Sequence, residues 1–95
     1  MTYDEKLALC KTMASNLSTL REKAKLTQDE LADRLGLSRQ TISAIENDKR
    51  DMRWSTFSVL IMFFSGNEEI NQIMIAMGIV NSEVEKVFNI DANAQ

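Results

Sequence analysis

The sequence predicts an all-α domain, and three features of the chain support this prediction. Residues that cap helix N-termini stand before most of the apolar segments. Within those segments the apolar residues recur at intervals of three and four, which is the spacing of one helix face. The 95 residues contain no proline, and no stretch of useful length alternates apolar and polar residues as a strand does.

The first predicted helix is long for a small domain. Thr2 and Glu5 have the spacing of a capping box, in which each side chain bonds to the other residue's backbone N–H. The apolar stripe that follows predicts a helix from about residue 3 to residue 25. An interruption of this helix near residues 13–15 is left open, because Ser15 and Asn16 favour helix ends over helix interiors.

Two short helices are predicted next. Thr27 and Glu30 make a second capping box, and Gly36 stands where a helix ends in the left-handed conformation. Ser38 is a cap residue for a third helix, which runs from residue 39 to about residue 47.

The C-terminal half predicts three more helices. Residues 54–64 are apolar nearly all round, so this helix is expected to be buried on more than one side. Two amphipathic helices follow, beginning near Asn67 and near Asn81, and residues 91–95 are expected to fray.

The composition excludes several kinds of chemistry. There is no histidine, so no Ser-His-Asp or Cys-His catalytic unit and no nitrogen–sulfur zinc site can form around the single Cys10. The sequence therefore predicts no enzyme activity, no cofactor and no metal. A lone cysteine fits a reducing cytoplasm. We expect neither a signal peptide nor a membrane segment, since no uncharged apolar run approaches the roughly 18 residues that a span needs.

Charge is divided unevenly along the chain, whose net charge is −3. Residues 16–53 contain eight basic and seven acidic side chains, whereas residues 54–95 contain one basic and five acidic side chains. The overall acidity argues weakly against nucleic-acid binding. The distribution, however, predicts a mixed-charge part with locally basic edges and an acidic, apolar part.

Residues 28–47 fit two short helices that are joined by a tight turn and cross at a steep angle. Ala32 provides the small side chain that a close crossing needs, and Gly36 can take the positive φ that the turn needs. Apolar residues that can face inward stand on both sides of the turn: Leu31, Leu35, Leu37, Ile42 and Ile45. The segment is therefore predicted to be a helix-turn-helix.

From about residue 16 to residue 64, the chain resembles the phage lambda repressor/Cro-type helix-turn-helix family, also called the XRE family of bacterial regulators. The segment LREKAKLTQDELADRLGLSRQTISAIENDKR carries the resemblance through its Thr-Gln-x-Glu-Leu-Ala opening, its Leu-Gly-Leu-Ser turn and its Ile-Glu-Asn ending. The resemblance implies a lambda-repressor-like helical domain that reads operators as a dimer. The long N-terminal helix and the extra C-terminal helices lie outside it.

The resemblance also implies a structural ion pair between Arg21 and Glu46, the alternative being two free surface charges. Three residues depart from the family pattern. Asp48 stands where glycine is usual, Met52 where proline is frequent, and Arg53 where a serine or threonine caps the fourth helix.

The start of the third helix enters the major groove in this motif, so its outward residues are the candidate base readers. Arg39 can bond a guanine edge and Gln40 an adenine edge, while Ser43 and Ala44 lie one turn further on. The candidate phosphate contacts stand at helix ends and in the basic loop: Gln28, Ser38, Thr41, Asn47, Lys49, Arg50 and Arg53. Plain caps and solvated surface residues are the alternative reading of both sets.

These features predict a sequence-specific regulator that binds double-stranded DNA, most simply a repressor, and acts as a homodimer. Residues 1–64 would form the DNA-binding domain and residues 65–95 a C-terminal extension for dimerisation. The fourth helix has more apolar faces than a small monomer covers, with Val59, Met62 and Phe63 off its main stripe. Residues 54–90 are therefore the predicted interface.

Two alternatives remain open. The protein can be an antitoxin that also regulates its own operon, with the acidic, apolar residues 66–90 gripping a basic toxin. It can also be a helical protein-interaction module whose helix-turn-helix is degenerate.

Overall fold

Six α-helices make up the computed structural model, which describes residues 1–90. Their bounds are α1 Tyr3–Lys23, α2 Gln28–Leu35, α3 Arg39–Glu46, α4 Trp54–Ser65, α5 Glu68–Ala76 and α6 Ser82–Phe88. No β-strand occurs within this range, so the predicted all-α fold class is confirmed. Residues 91–95, which were expected to fray, lie outside the described residues. Across residues 1–90, no helix combines the length and apolar character that a bilayer span requires.

Side-chain caps mark the start of five helices. The cap residue of each accepts a hydrogen bond from the backbone N–H three residues on: Thr2, Thr27, Ser38, Asn67 and Asn81. The two threonines form complete capping boxes with Glu5 and Glu30. Helix α4 begins after Arg53, whose side chain makes no capping bond, in keeping with the departure from the family pattern at this position.

Helix α1 is continuous through residues 13–15, so the possible interruption is absent. The Asn16 side chain donates to the Thr12 carbonyl at 2.8 Å and so adds a bond within the helix. The helix ends two residues earlier than predicted, because Lys25 adopts a φ of 60° and its N–H bonds back to Glu22. A lysine occupies a conformation that usually favours glycine, so no glycine marks this helix end in the sequence.

The turn between α2 and α3 depends on Gly36, which has a φ of 69° and ends α2 in the left-handed conformation. The next residue, Leu37, donates its N–H to the Ala32 carbonyl at 2.9 Å. Ala32 itself is buried, as expected for the small residue of a close helix crossing.

One continuous core spans the helix-turn-helix and the C-terminal helices. Its fully buried members come from all parts of the chain: Met13, Leu17, Leu20, Leu31, Ile42, Phe57, Leu60, Ile61, Phe64, Ile70, Met74, Ile79 and Val84. Helices α5 and α6 therefore share the core that positions α2 and α3.

An aromatic cluster joins the two ends of the chain. The half-buried Trp54 ring stacks on Phe57 with centroids 4.8 Å apart, and Phe88 of α6 lies 5.6 Å from it. The Lys6 ammonium lies 5.3 Å from the centroid of the same indole, within cation–π range. Trp54 is thus a packing residue among α1, α4 and α6.

Candidate nucleic-acid interface

Arg39 and Gln40 are the first two residues of α3, and both side chains are exposed. Ile42 and Ile45, on the other face of the helix, are buried in the core. The helix thus presents a polar start to solvent while its apolar face is anchored. The Ser38 side chain accepts from the Thr41 N–H at 3.1 Å and fixes the point where the helix begins.

Arg39 lies beside an acidic residue of the preceding helix. Its Nε is 3.8 Å from Oδ1 of Asp29, and both side chains are more than half exposed. An exposed ion pair of this length contributes little to stability. The contact shows that the guanidinium lies near the first turn of α2.

A short hydrogen-bond chain connects the loop after α3 to the N-terminus of α3. The hydroxyl groups of Ser38 and Thr41 lie 2.8 Å apart, and Arg50 donates from Nη1 to the Thr41 hydroxyl at 3.2 Å. Three of the predicted phosphate contacts therefore form a single polar group at the start of α3.

The later residues of α3 are less accessible. Ser43 and Ala44 are half-buried. The Asn47 amide donates to the Ser43 carbonyl at 2.9 Å, and so closes the C-terminal end of the helix. Ser43 and Ala44 therefore expose less surface than Arg39 and Gln40 at the start of α3.

The loop over residues 48–53 is anchored by its backbone while its cations project outward. Asp48 takes the left-handed conformation with a φ of 57°, at the position where the family pattern has glycine. The Lys49 N–H bonds to the Ala44 carbonyl at 2.8 Å, and Met52 is buried in the core. The side chains of Lys49, Arg50 and Arg53 are exposed.

Arg21 and Glu46 are in contact, and they form a bidentate ion pair. Arg21 donates from Nε to Oε2 of Glu46 at 2.8 Å and from Nη2 to Oε1 at 3.1 Å. A third donor of Arg21, Nη1, bonds the Leu26 carbonyl at 2.9 Å. The two side chains are only 14% and 7% exposed, so the pair is well shielded from water.

Gln28 belongs to this network. Its amide donates to Oε1 of Glu46 at 2.9 Å. The sequence suggests Gln28 as a phosphate contact, and the structure shows its amide nitrogen engaged with a carboxylate instead. Burial alone would raise the pKa of the Glu46 carboxyl, but the hydrogen bonds from Arg21 and Gln28 and the charge of Arg21 outweigh burial and lower that pKa. The pKa of Arg21 is raised by the same contact.

Two contacts were not predicted from the sequence. Asp29 is a partner of Arg39, and Gln28 is a partner of Glu46. Both contacts depend on how α2 crosses α3, and neither has a local pattern that could reveal it. The only available signal was the opposite charge of Asp29 and Arg39.

Comparison with known proteins bears on the same segment. Residues 17–52 match the family described as helix-turn-helix. No curated protein and no solved structure matches the chain. The matched segment contains the C-terminal part of α1, all of α2 and α3 and most of the basic loop. The match supports a DNA-binding regulator of the lambda repressor/Cro type, the XRE family, whose helix-turn-helix lies within residues 17–52.

Proposed function

We propose that the protein is a transcriptional repressor that occupies its operator as a homodimer and reads the DNA with the start of α3. The observation that carries this proposal is the position of Arg39 and Gln40. Both are exposed at the N-terminal end of a capped helix whose opposite face is buried. In this motif that end of the helix enters the major groove.

The two side chains have complementary reading chemistry. Arg39 bonds the two acceptors of a guanine edge, and Gln40 bonds the acceptor and donor of an adenine edge. Asp29 competes with guanine for Arg39, so the arginine leaves a weak ion pair when it binds a base. Ser43 and Ala44 contact the neighbouring base pair, the serine by hydrogen bonding and the alanine through a thymine methyl group.

Phosphates are bound around this reading surface. Ser38 and Thr41 stand at the N-terminus of α3, where backbone N–H groups and the helix dipole favour anions. Arg50 adds a cation to the same group through its bond to Thr41. The remaining proposed phosphate contacts are Gln28, Asn47, Lys49 and Arg53. Among these, Gln28 must share its amide with Glu46.

Dimerisation is supported by apolar surface on α4. Met62 is 60% exposed and Val59 is 39% exposed, and the half-buried Phe63 lies beside them. A second copy that covers this face would set two reading helices against two half-sites, which lie about 34 Å apart. A basic toxin that docks on the acidic C-terminal part is the alternative occupant of the face.

Selection of bound duplexes from a random pool, followed by gel-shift titration, tests the proposed function. We expect one enriched sequence with two related half-sites, and a 2:1 ratio of protein to duplex. A pool that yields no enriched sequence would overturn sequence-specific reading and favour the protein-interaction module. A promoter carrying the selected sequence should lose expression when the protein is present, and a rise in expression would contradict repression.

A further inference from the structure

A cavity of about 470 Å³ lies between the N-terminal half of α1 and the segment that leads from α3 to α4. This volume is within the range of sites that bind small molecules. Its α1 wall consists of residues between 7 and 15, all of which precede the helix-turn-helix match at residues 17–52. Its other wall, residues 45–52, lies inside the match. The cavity therefore exists because α1 extends beyond the matched segment.

The inner part of the cavity is apolar. Cys10 of α1, Ile45 of α3 and Met52 of the loop line it and are buried in the core. Leu7, which is 40% exposed, stands on the same wall with its side chain partly in water. A molecule that removed this surface from water would gain from burial, so the occupant is expected to have an apolar body.

Charges of both signs stand around this apolar surface. Lys11 and Arg50 are the cations, Asp48 and Asp51 are the anions, and all four residues are exposed. Within residues 1–90, none of the four forms an ion pair. Glu46 also lines the cavity, but its carboxylate is held by Arg21 and Gln28. The charges left to a ligand are therefore two positive and two negative.

We propose that this cavity binds a small zwitterion with an apolar body, of the size of an apolar dipeptide. The ammonium group lies against Asp48 and Asp51, and the carboxylate lies against Lys11 and Arg50. The apolar body covers Leu7 and the small exposed parts of Cys10, Ile45 and Met52. The two cations and two anions favour a molecule that carries both an anionic and a cationic group, and the apolar surface favours one with apolar side chains.

Arg50 connects the cavity to the reading helix, a step that rests on the proposed function. Its guanidinium donates to the Thr41 hydroxyl at 3.2 Å and also lines the cavity. A hydrogen bond to a carboxylate is stronger than one to a neutral hydroxyl, so a bound zwitterion draws Arg50 away from the N-terminus of α3. Operator affinity should then fall, because one phosphate-binding cation per protomer is withdrawn.

The binding step is tested without DNA, by titrating the ¹⁵N-labelled protein with the dipeptide leucyl-leucine and recording amide chemical shifts. We expect saturable shifts in residues 7–15 and 45–52, with further shifts at residues 38–41, because Arg50 leaves the Thr41 hydroxyl. Ser15→Trp, an exposed substitution on the cavity wall, should abolish them, whereas Thr19→Trp, an exposed substitution one turn further along α1, should leave them unchanged. Absence of saturation up to millimolar dipeptide, or equal binding by Ser15→Trp, would overturn the proposal.

Charge complementarity is tested with two modified dipeptides and two variants. The two substitutions remove one charge each and do not fill the cavity with a larger side chain. Acetyl-leucyl-leucine lacks the ammonium group, and leucyl-leucinamide lacks the carboxylate. Each should bind about two- to fivefold more weakly, the effect of one exposed ion pair. Asp51→Asn should weaken only ligands that carry the ammonium group, and Lys11→Gln only those that carry the carboxylate. Equal binding of all three dipeptides would contradict a zwitterion site.

A final experiment distinguishes failure of ligand binding in the cavity from failure of the proposed function. Gel-shift titration of the selected operator is repeated with and without saturating leucyl-leucine. If leucyl-leucine weakens operator binding by the parent protein but not by Ser15→Trp, the coupling through Arg50 is supported. Saturable dipeptide binding with unchanged operator affinity would overturn the coupling. An operator complex without dipeptide binding would overturn the cavity proposal and leave the proposed function intact.

Discussion

Arg21 Nε lies 2.8 Å from Glu46 Oε2, and this contact ties the last turn of α1 to the last residue of α3. The reading helix is thus held at its C-terminal end by a charged pair and along its length by Ile42 and Ile45. A helix that reads bases must keep a fixed orientation on the domain, because a small tilt would misplace both of its reading side chains.

Replacement of Arg21 by alanine should destabilise the fold. The substitution leaves a nearly buried carboxylate without its main partner. Loss of one partner costs about 3–5 kcal/mol in a buried pair and under about 1 kcal/mol in an exposed pair. We expect a value between these limits from urea unfolding. Lys23→Ala, an exposed substitution in the same helical turn, is the control and should change the unfolding free energy little. An Arg21→Ala protein as stable as the parent would contradict the structural role of the pair.

The same pair makes stability depend on pH. The pKa of Glu46 is lowered from 4.5 in the folded protein, so its contribution is present above about pH 4.5 and is lost as pH falls through the folded pKa. Glu46→Gln should therefore be less stable than the parent at pH 7, and the difference should shrink below pH 4.5. Thermal unfolding of the two proteins from pH 7 to pH 3 measures this difference. A difference that is constant over this range would show that the charge of Glu46 contributes nothing.

Dimerisation through α4 should be sensitive to charge at its exposed apolar face. Met62→Glu should dissociate the dimer without unfolding the monomer, because the side chain is 60% exposed within one chain. Sedimentation equilibrium at tens of micromolar should give twice the monomer mass of 10.8 kDa for the parent and the monomer mass for the variant. Tyr3→Glu, at a more exposed apolar residue on α1, should remain dimeric. A parent protein that sediments as a monomer would rule out the homodimer.

Lys49 should affect all DNA sequences alike. Its side chain projects from an anchored loop and is proposed to contact phosphate, so Lys49→Ala should weaken binding to selected and scrambled duplexes by similar factors. The slope of the logarithm of affinity against the logarithm of salt concentration should become shallower by about 1 per protomer. Loss of affinity for the selected duplex alone would instead indicate that Lys49 reads bases.

Much of the fold could be predicted because it depends on local chemistry. The capping boxes at Thr2 and Thr27 and the left-handed Gly36 mark helix ends through bonds among neighbouring residues, and the helices begin and end there. The end of α1 differs from the prediction, because Lys25, an ordinary helix former, takes a positive φ there.

The finer geometry of the candidate site could not be predicted from sequence. The contacts of Asp29 with Arg39 and of Gln28 with Glu46 join residues of two helices, and their existence depends on the angle at which those helices cross. The cavity beside Cys10 has the same origin, since it forms where an extended α1 passes the loop after α3. Apolar spacing shows which face of a helix is buried, but it does not show where the packing leaves space.

Whether the start of α3 reads the DNA is decided by the affinity of Arg39→Ala and Gln40→Ala for the selected operator. Each good bidentate contact discriminates by about 1–3 kcal/mol, and a dimer loses two. We expect each variant to lose roughly 2–6 kcal/mol of operator affinity, to relax base preference at one position per half-site, and to keep the parent's unfolding free energy. If both variants bind the selected operator as tightly as the parent, α3 is not the reading helix.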